Sequence, residues 1–292
     1  MIEEIVALGF SHIELSHGMS VAKVPGIRKA FHRGIFTCAG VHNYFPSPVE
    51  VMIDAPDAYE FTSHRPFERQ RALALSYRTL ELAAEFKAQY LVLHMGSVPL
   101  NPYKWSHRLT AMVAEGRQTH PDFVKAKIKF VKKREKIGPL YYQRALEALT
   151  ALAGRAAELG IKLAIESRSH YEDMPDEREM EALQEHFSDN PWVGYWHDLG
   201  HVQLKHNLGL LDHCEWLERI APRIIGGHVH DVEWPARDHR VPFSGMLDYA
   251  AILPYFPPDC PLVWELSPTR EADDIRDALA VWKARFPQRS PL

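Results

Sequence analysis

The chain has 292 residues, 46% of them hydrophobic and 25% charged, a balance that supplies a sizeable core and excludes disordered and fibrous architectures. Its 34 basic and 38 acidic residues give a formal charge of −4, so the strong positive field of a dedicated nucleic-acid binder is absent. No run of 18 apolar residues occurs and the opening Met1-Ile2-Glu3-Glu4 is acidic, a pattern that predicts a cytoplasmic protein with neither secretory leader nor membrane partner.

Residues 5–8 close a short helix, Gly9-Phe10-Ser11 turns the chain, and His12-Ile13-Glu14-Leu15 reads as a strand over 12–15. A second strand is expected over 36–43, followed by a loop excursion over 46–64 that carries Pro46, Pro48 and Pro56. Leu73, Tyr77, Leu80 and Ala84 form the stripe of an amphipathic helix before a strand at 90–95. A long excursion over 97–138 comes next, with a basic run of Lys125, Lys127, Lys129, Lys132, Lys133, Arg134 and Lys136. It reads either as a solvated helix face or as a lid with an anion-gripping surface. A further helix carries Leu146, Leu149, Ala153 and Ala156, and Glu158-Leu159-Gly160 ends it ahead of a strand at 162–166. Strands at 193–198, 224–230 and 261–266 complete a set of seven.

Near-continuous apolar strands separated by helices require a parallel sheet covered on both faces. With no glycine-rich phosphate turn after an early strand, the pattern favours a (β/α) TIM-type barrel occupying residues 1–292 as one domain, the segment 97–138 being an insertion. The chain opens inside the first helix, so the strand expected before it is missing. Either seven strands close the barrel or the start differs. Cys38, Cys214 and Cys260 are odd in number and widely separated, and read as buried thiols rather than a disulfide frame.

Seventeen histidines, many beside Asp or Glu, raise a metal site, because neutral imidazole is the commonest ligand for transition metals. Their position sharpens the case. His42, His94, Glu166, Asp198, His228 and Glu265 each stand at or near the C-terminal end of a predicted strand, and in a barrel that rim is where side chains from different strands meet. Glu166 follows Leu163-Ala164-Ile165 and Glu265 follows Leu262-Val263-Trp264, and an unpaired glutamate is rarely buried without a reason. Clustered carboxylates repel one another unless a cation is present. His201 follows Asp198 across a glycine, and His228 and His230 share one strand face, so either can be the ligand. Asp238 and His239 read at least equally well as a solvated charged loop.

Leu93-His94-Met95-Gly96-Ser97, Ile165-Glu166, Asp198-Leu199-Gly200-His201, His228-Val229-His230-Asp231 and Glu265-Leu266-Ser267 together resemble the ordered motifs of the xylose isomerase-like barrel superfamily. That superfamily includes sugar isomerases and epimerases, inosose dehydratases and zinc-dependent apurinic endonucleases. The resemblance implies a four-ligand divalent site made of Glu166, Asp198, His228 and Glu265, with His201 beside it for substrate or a further metal. A competing alignment on a His-x-His-x-x-Glu spacing makes His230 the ligand; the His-x-x-Asp ending and the later Val241-Pro242-Phe243-Ser244-Gly245 favour His228. His42 and His94 match two early histidines of the endonuclease-like members, but Asp238 and His239 are adjacent where those proteins separate them by one residue.

The resulting expectation is a metal-dependent isomerase or epimerase that uses Mn, Mg, Co or Zn on a sugar, sugar phosphate or polyol ketone through an enediolate. Glu166 and Glu265 would exchange the proton. His42, His94, His201, His230, Arg168 and Arg237 would contact substrate, and the 97–138 segment would cover it. The rivals are a zinc phosphodiester hydrolase, an inosose dehydratase-type lyase, and a barrel that binds a sugar or partner without turnover. Nucleic acid is not the expected partner, and a homo-oligomer stays open.

Overall fold

Seven parallel strands run in sequential order round a barrel in a computed structural model that describes residues 1–51, 55–100 and 103–289. They are β1 (His12–Leu15), β2 (Thr37–His42), β3 (Tyr90–Leu93), β4 (Lys162–Glu166), β5 (Val193–Asp198), β6 (Ile224–Val229) and, after a hairpin of β7 (Asp231–Glu233) and β8 (Arg237–Arg240), β9 (Leu262–Trp264). All seven predicted strands are present within two residues of their expected ends; the β7–β8 hairpin is additional. Helices α1 (Ile2–Ala7), α2 (Val24–His32), α3 (Pro66–Glu85), α4 (Lys104–Ala114), α5 (Pro121–Leu159), α6 (Glu177–His186), α7 (Leu199–Asn207), α8 (His213–Ile220), α9 (Tyr249–Ile252) and α10 (Ala272–Arg285) surround them. β1 and β9 are the two ends of the sheet and are not paired with each other, so the barrel is nearly, not fully, closed.

Local chemistry sets the strand and helix ends. Gly160 takes the left-handed conformation at φ 69°, ends α5 and feeds β4 directly, as the Glu158-Leu159-Gly160 pattern predicts. Asp176 caps α6 in a reciprocal pair with Glu179, and Asp198 caps α7 from the last residue of β5. β3 and β5 are buried along their whole length because side chains on one face fill the barrel and those on the other meet the helices. Tyr90 and Trp196 occupy the interior with ring centroids 4.4 Å apart. Their bulk is accommodated by glycine opposite: a Cβ at Gly226 would lie 2.2 Å from the Trp196 ring.

α4 and the first half of α5 form a helical pair with Leu109, Met112, Phe123 and Phe130 buried in the main core. α5 then continues without interruption through Gly138-Pro139 into the helix that carries Leu146 and Leu149. Arg134, 1% exposed, donates to the carbonyls of Tyr171 (3.1 Å) and Asp173 (3.0 Å) and forks onto Glu179, which fastens α5 to the loop after β4. Lys125, Lys129, Lys132, Lys133 and Lys136 stand on the exposed side of α5. The buried arginine fork thus builds this half of α5 into the wall around the barrel. Residues 52–54 of the 46–64 excursion and residues 101–102 of the 97–138 excursion lie outside the described residues. All three cysteines are free thiols; only Cys38 is fully buried, which narrows that expectation. No described helix is long and apolar enough to cross a membrane.

Outside the barrel wall a chain of neutral groups joins β5 to α7 and α8. Trp216 donates to the Tyr195 hydroxyl (2.9 Å), which donates to His197 Nδ1 (2.9 Å). His197 Nε2 then donates to His213 Nε2 (3.0 Å), and His213 Nδ1 donates to Gln203 Oε1 (3.0 Å). Each imidazole has one donor and one acceptor role, so both are neutral. Burial pushes His197 well below its ordinary range and His213 down to about 3. An unfolded histidine takes up a proton near pH 6.5, so this chain contributes stability above that pH and loses it as pH falls toward 3. The expected slope is about 1.4 kcal/mol per pH unit for each histidine kept neutral. Denaturant titrations at pH 8, 6 and 5 should show His213→Gln, which keeps an acceptor, losing stability less steeply than wild type. Identical slopes would refute the assignment.

Candidate metal centre

Glu166, Asp198, His228 and Glu265 reach the C-terminal mouth of the barrel from β4, β5, β6 and the residue after β9. Each offers one ligand atom, and the four atoms lie within 4.8 Å of one another. Glu166, Asp198 and His228 are 1% exposed or less. The distribution of protons within the group is legible from its partners. His228 Nε2 donates to Glu14 Oε1 at 3.1 Å, which leaves Nδ1 facing Glu265 Oε2 (3.2 Å), Glu166 Oε1 (3.5 Å) and Asp198 Oδ2 (3.6 Å). Asp198 Oδ1 accepts from the His201 amide (2.7 Å) and from His230 Nε2 (3.0 Å). Oδ2 lies 3.1 Å from the same His230 nitrogen and is the oxygen turned toward His228.

Glu166 Oε1 and His228 Nδ1 are buried without a hydrogen-bond partner. Orphaned acceptors aimed at one another are costly in a dry interior. A divalent cation between them satisfies both, and the mixed oxygen and nitrogen donors suit several such ions. In the ion-free protein the deficit of positive charge is met by protons. Burial would lower His228, but the charges of Glu265 and Glu14 hold it well above its ordinary range. Burial would likewise raise Glu166, yet the adjacent rings of His94, His201, His228 and His42 hold it well below the carboxylate range.

A second group shares Glu166. His42 Nδ1 donates to the Asn43 carbonyl (3.0 Å) and His94 Nδ1 to Asp57 Oδ1 (3.0 Å), so both Nε2 atoms face Glu166 Oε2, at 3.2 and 2.7 Å. These three atoms also meet the spacing of an ion site. Burial and Arg168 would lower His94, but Asp57 and Glu166 push it up to about 9. A third group, His201, His230 and His239, fits an ion less well. His230 accepts from the His239 amide at Nδ1 (2.9 Å) and donates to Asp198 at Nε2, so both its nitrogens are engaged. His230 is thereby the hydrogen-bond partner of Asp198, while His228 presents its free nitrogen to the four-atom cluster. Gly200 makes this possible, since a Cβ there would lie 2.0 Å from the His230 ring.

Arg168, 8% exposed, is locked by Asp57 Oδ2 at 2.8 Å and also lies against His94. Arg237 is not brought into the site: its side chain is 71% exposed and faces Glu233 at 3.6 Å on the β7–β8 hairpin. It stands apart from the residues that the structure brings together at the mouth. His239 moves the other way. Its φ of 52° turns the ring inward, stacked on His230 at 4.3 Å and 3.5 Å from Glu265 Oε2, so the solvated-loop reading of this residue does not hold. Two residues of the site, Glu14 and Asp57, were not expected from the sequence. Glu14 stood in the alternating His-Ile-Glu-Leu strand as a visible signal; Asp57, in a proline-rich loop, gave none.

A cavity of about 1090 Å³ opens beside the cluster and is lined there by His94, Glu166, Arg168, His201, His239 and Glu265. It runs between the unpaired edges of β1 and β9, where Ile13, Val263 and Trp264 give it an apolar side.

The fold is shared with 3-keto-D-glucoside 4-epimerase YcjR from E. coli (15% identity, TM-score 0.66, 97% of this chain and 92% of that one). It is also shared with the zinc-bound IolI protein (16%, 0.65, 98% and 92%) and with the TTHB071 protein of Thermus thermophilus soaked with ZnCl2 (21%, 0.60, 98% and 92%). No functionally curated protein matches the sequence. The sequence matches the xylose isomerase-like TIM barrel family over residues 2–284. With its ordered strand-end motifs on a nearly closed parallel barrel, this chain belongs to that family.

Proposed function

We propose that the protein is a divalent-metal-dependent isomerase or epimerase of a sugar or related polyol ketone. The observation that carries this reading is the convergence of Glu166, Asp198, His228 and Glu265 around two orphaned acceptors, at the edge of a cavity large enough for a small ligand. Sugar epimerases are among the proteins of the same fold, and this supports the class. The metal, Mn, Mg, Co or Zn, would be held by those four residues. When bound, it supplies Lewis-acid polarisation of a carbonyl and an adjacent hydroxyl, which acidifies the C–H between them.

The chain's own groups do the rest. Glu166 and Glu265 approach the ligand position from β4 and from the end of β9, so one carboxylate removes the proton and the other returns it. His201 Nδ1 donates to the Ser167 carbonyl (3.1 Å), which leaves its Nε2 for a substrate hydroxyl. Asp57 fixes the Arg168 guanidinium in a single orientation at the cavity wall, where its remaining donors can orient substrate oxygens. The test is incubation with a panel of ketoses and keto-glycosides in D2O with each metal. Deuterium entering the carbon next to the carbonyl, with interconversion of epimers, is the expected result. A new enone-like ultraviolet chromophore would reassign the protein to the dehydratase class, and no exchange with any substrate would overturn the proposal.

A second reading rests on the His42, His94 and Glu166 group. With the Nε2 atoms of both rings facing a shared carboxylate, His42, His94 and Glu166 would hold a second ion, and a pair of ions would supply chemistry suited to phosphodiester hydrolysis. Elemental analysis separates the two: about one ion per chain supports the isomerase, and two or more, with cleavage of an abasic-site duplex, supports the hydrolase.

A further inference from the structure

We infer that Glu14 sets the metal-accepting tautomer of His228 and that the affinity of the site for a divalent cation depends on it. The inference rests on the metal-site reading above.

A neutral imidazole has one N–H and one lone pair, and the partner of the first decides where the second points. An ionised carboxylate only accepts hydrogen bonds, so Glu14 Oε1, 3.1 Å from Nε2, requires the proton there. The lone pair then lies on Nδ1, the nitrogen within 3.6 Å of oxygens from Glu166, Asp198 and Glu265. Ligating histidines commonly hold their second nitrogen to a carboxylate, which fixes the ring and strengthens it as a donor.

Glu14 is buried beside the ring it supports. Its side chain is 6% exposed on β1, in register with Gly40 of β2. Inside the barrel the Tyr90 ring lies over Gly40, the residue that pairs with Glu14. Tyr90 is itself wedged against Trp196, and a Cβ at position 40 would meet its ring at 2.1 Å. Glu14 thus stands between the packed barrel centre and His228, the one imidazole of the four-ligand group. Glu14 does not belong to that group, and is a positioning residue.

Calorimetric titration of chelator-stripped protein with Mn²⁺ tests this without reference to turnover. Glu14→Met, of similar size but without an acceptor, is expected to weaken binding about 10- to 100-fold. Glu14→Gln, which keeps an acceptor oxygen, should recover most of that loss. A folded Glu14→Met protein that binds Mn²⁺ as tightly as wild type overturns the inference, since a purely space-filling Glu14 predicts that result. Should Glu14→Met not fold, Mn²⁺-soaked crystals of the wild type decide: an ion on Nδ1 with Glu14 on Nε2 is expected, and an ion on Nε2 overturns it. Wild type that binds no Mn²⁺ refutes the metal site itself, an outcome distinct from tight binding by the variant.

Discussion

Glu166→Gln is expected to lower turnover by at least about 10³-fold, and Glu265→Gln to do the same, because each change removes both a ligand charge and a proton-transfer group. The substitutions are nearly isosteric, so packing is preserved and the loss reports chemistry. Glu166 should be the more sensitive of the two. Its Oε1 faces His228 and His201 while its Oε2 faces His42 and His94, so neutralising it disturbs both candidate ion sites. Asp198→Asn should act differently. Oδ1 is already engaged by the His201 amide and His230, so the asparagine keeps the α7 cap through its own oxygen but places an NH2 where the ligand oxygen stood. Reduced metal occupancy, with kcat recovering as metal is raised, is the expected signature. Steady-state kinetics of the three variants, each with metal content measured, checks the set. Retention of metal and full activity in both glutamate variants would sink the assignment.

Stripping the metal with a chelator and restoring it is expected to move the thermal midpoint by about 10 °C. An ion present at roughly 1,000 times its dissociation constant stabilises the native state by about 4 kcal/mol, and a chain of this size shifts by about 2–4 °C for each kcal/mol. The physical source is specific. Two carboxylates and one imidazole are buried together beside the half-buried Glu265, two of their acceptors have no partner, and His228 compensates by holding a proton. A cation replaces that proton, so binding should release protons and weaken as pH falls through the range where the imidazoles charge. Differential scanning calorimetry of stripped protein at pH 8 and pH 6, with and without Mn²⁺, tests both halves. A midpoint that ignores the ion at pH 8 would remove the physical basis of the site.

The four central residues were nameable from the sequence because each stands where an apolar run stops at a charged or imidazole group. Leu163-Ala164-Ile165 before Glu166 and Leu262-Val263-Trp264 before Glu265 mark buried strands that end at the barrel mouth. The helix end at Gly160 and the seven strands were legible for the same reason, since periodicity and turn chemistry are local. α5 was less so. Gly138-Pro139 disfavours a helix interior, and its continuity rests on tertiary packing and the Arg134 fork.

What each polar group does at the mouth was decided only by the folded barrel. His228 and His230 lie two residues apart on one strand face, and their local surroundings in the chain do not say which nitrogen of either ring is free. The structure separates them by their partners: Glu14, 214 residues away, takes one nitrogen of His228, while the His239 amide and Asp198 take both nitrogens of His230. Arg237 and His239 sit two positions apart in one hairpin, yet a positive φ sends the histidine in while the arginine faces solvent. Sequence determines where strands begin and end, and which residue types crown them. Which nitrogen meets which oxygen depends on strand register and barrel curvature, and these exist only once segments distant in the chain have packed.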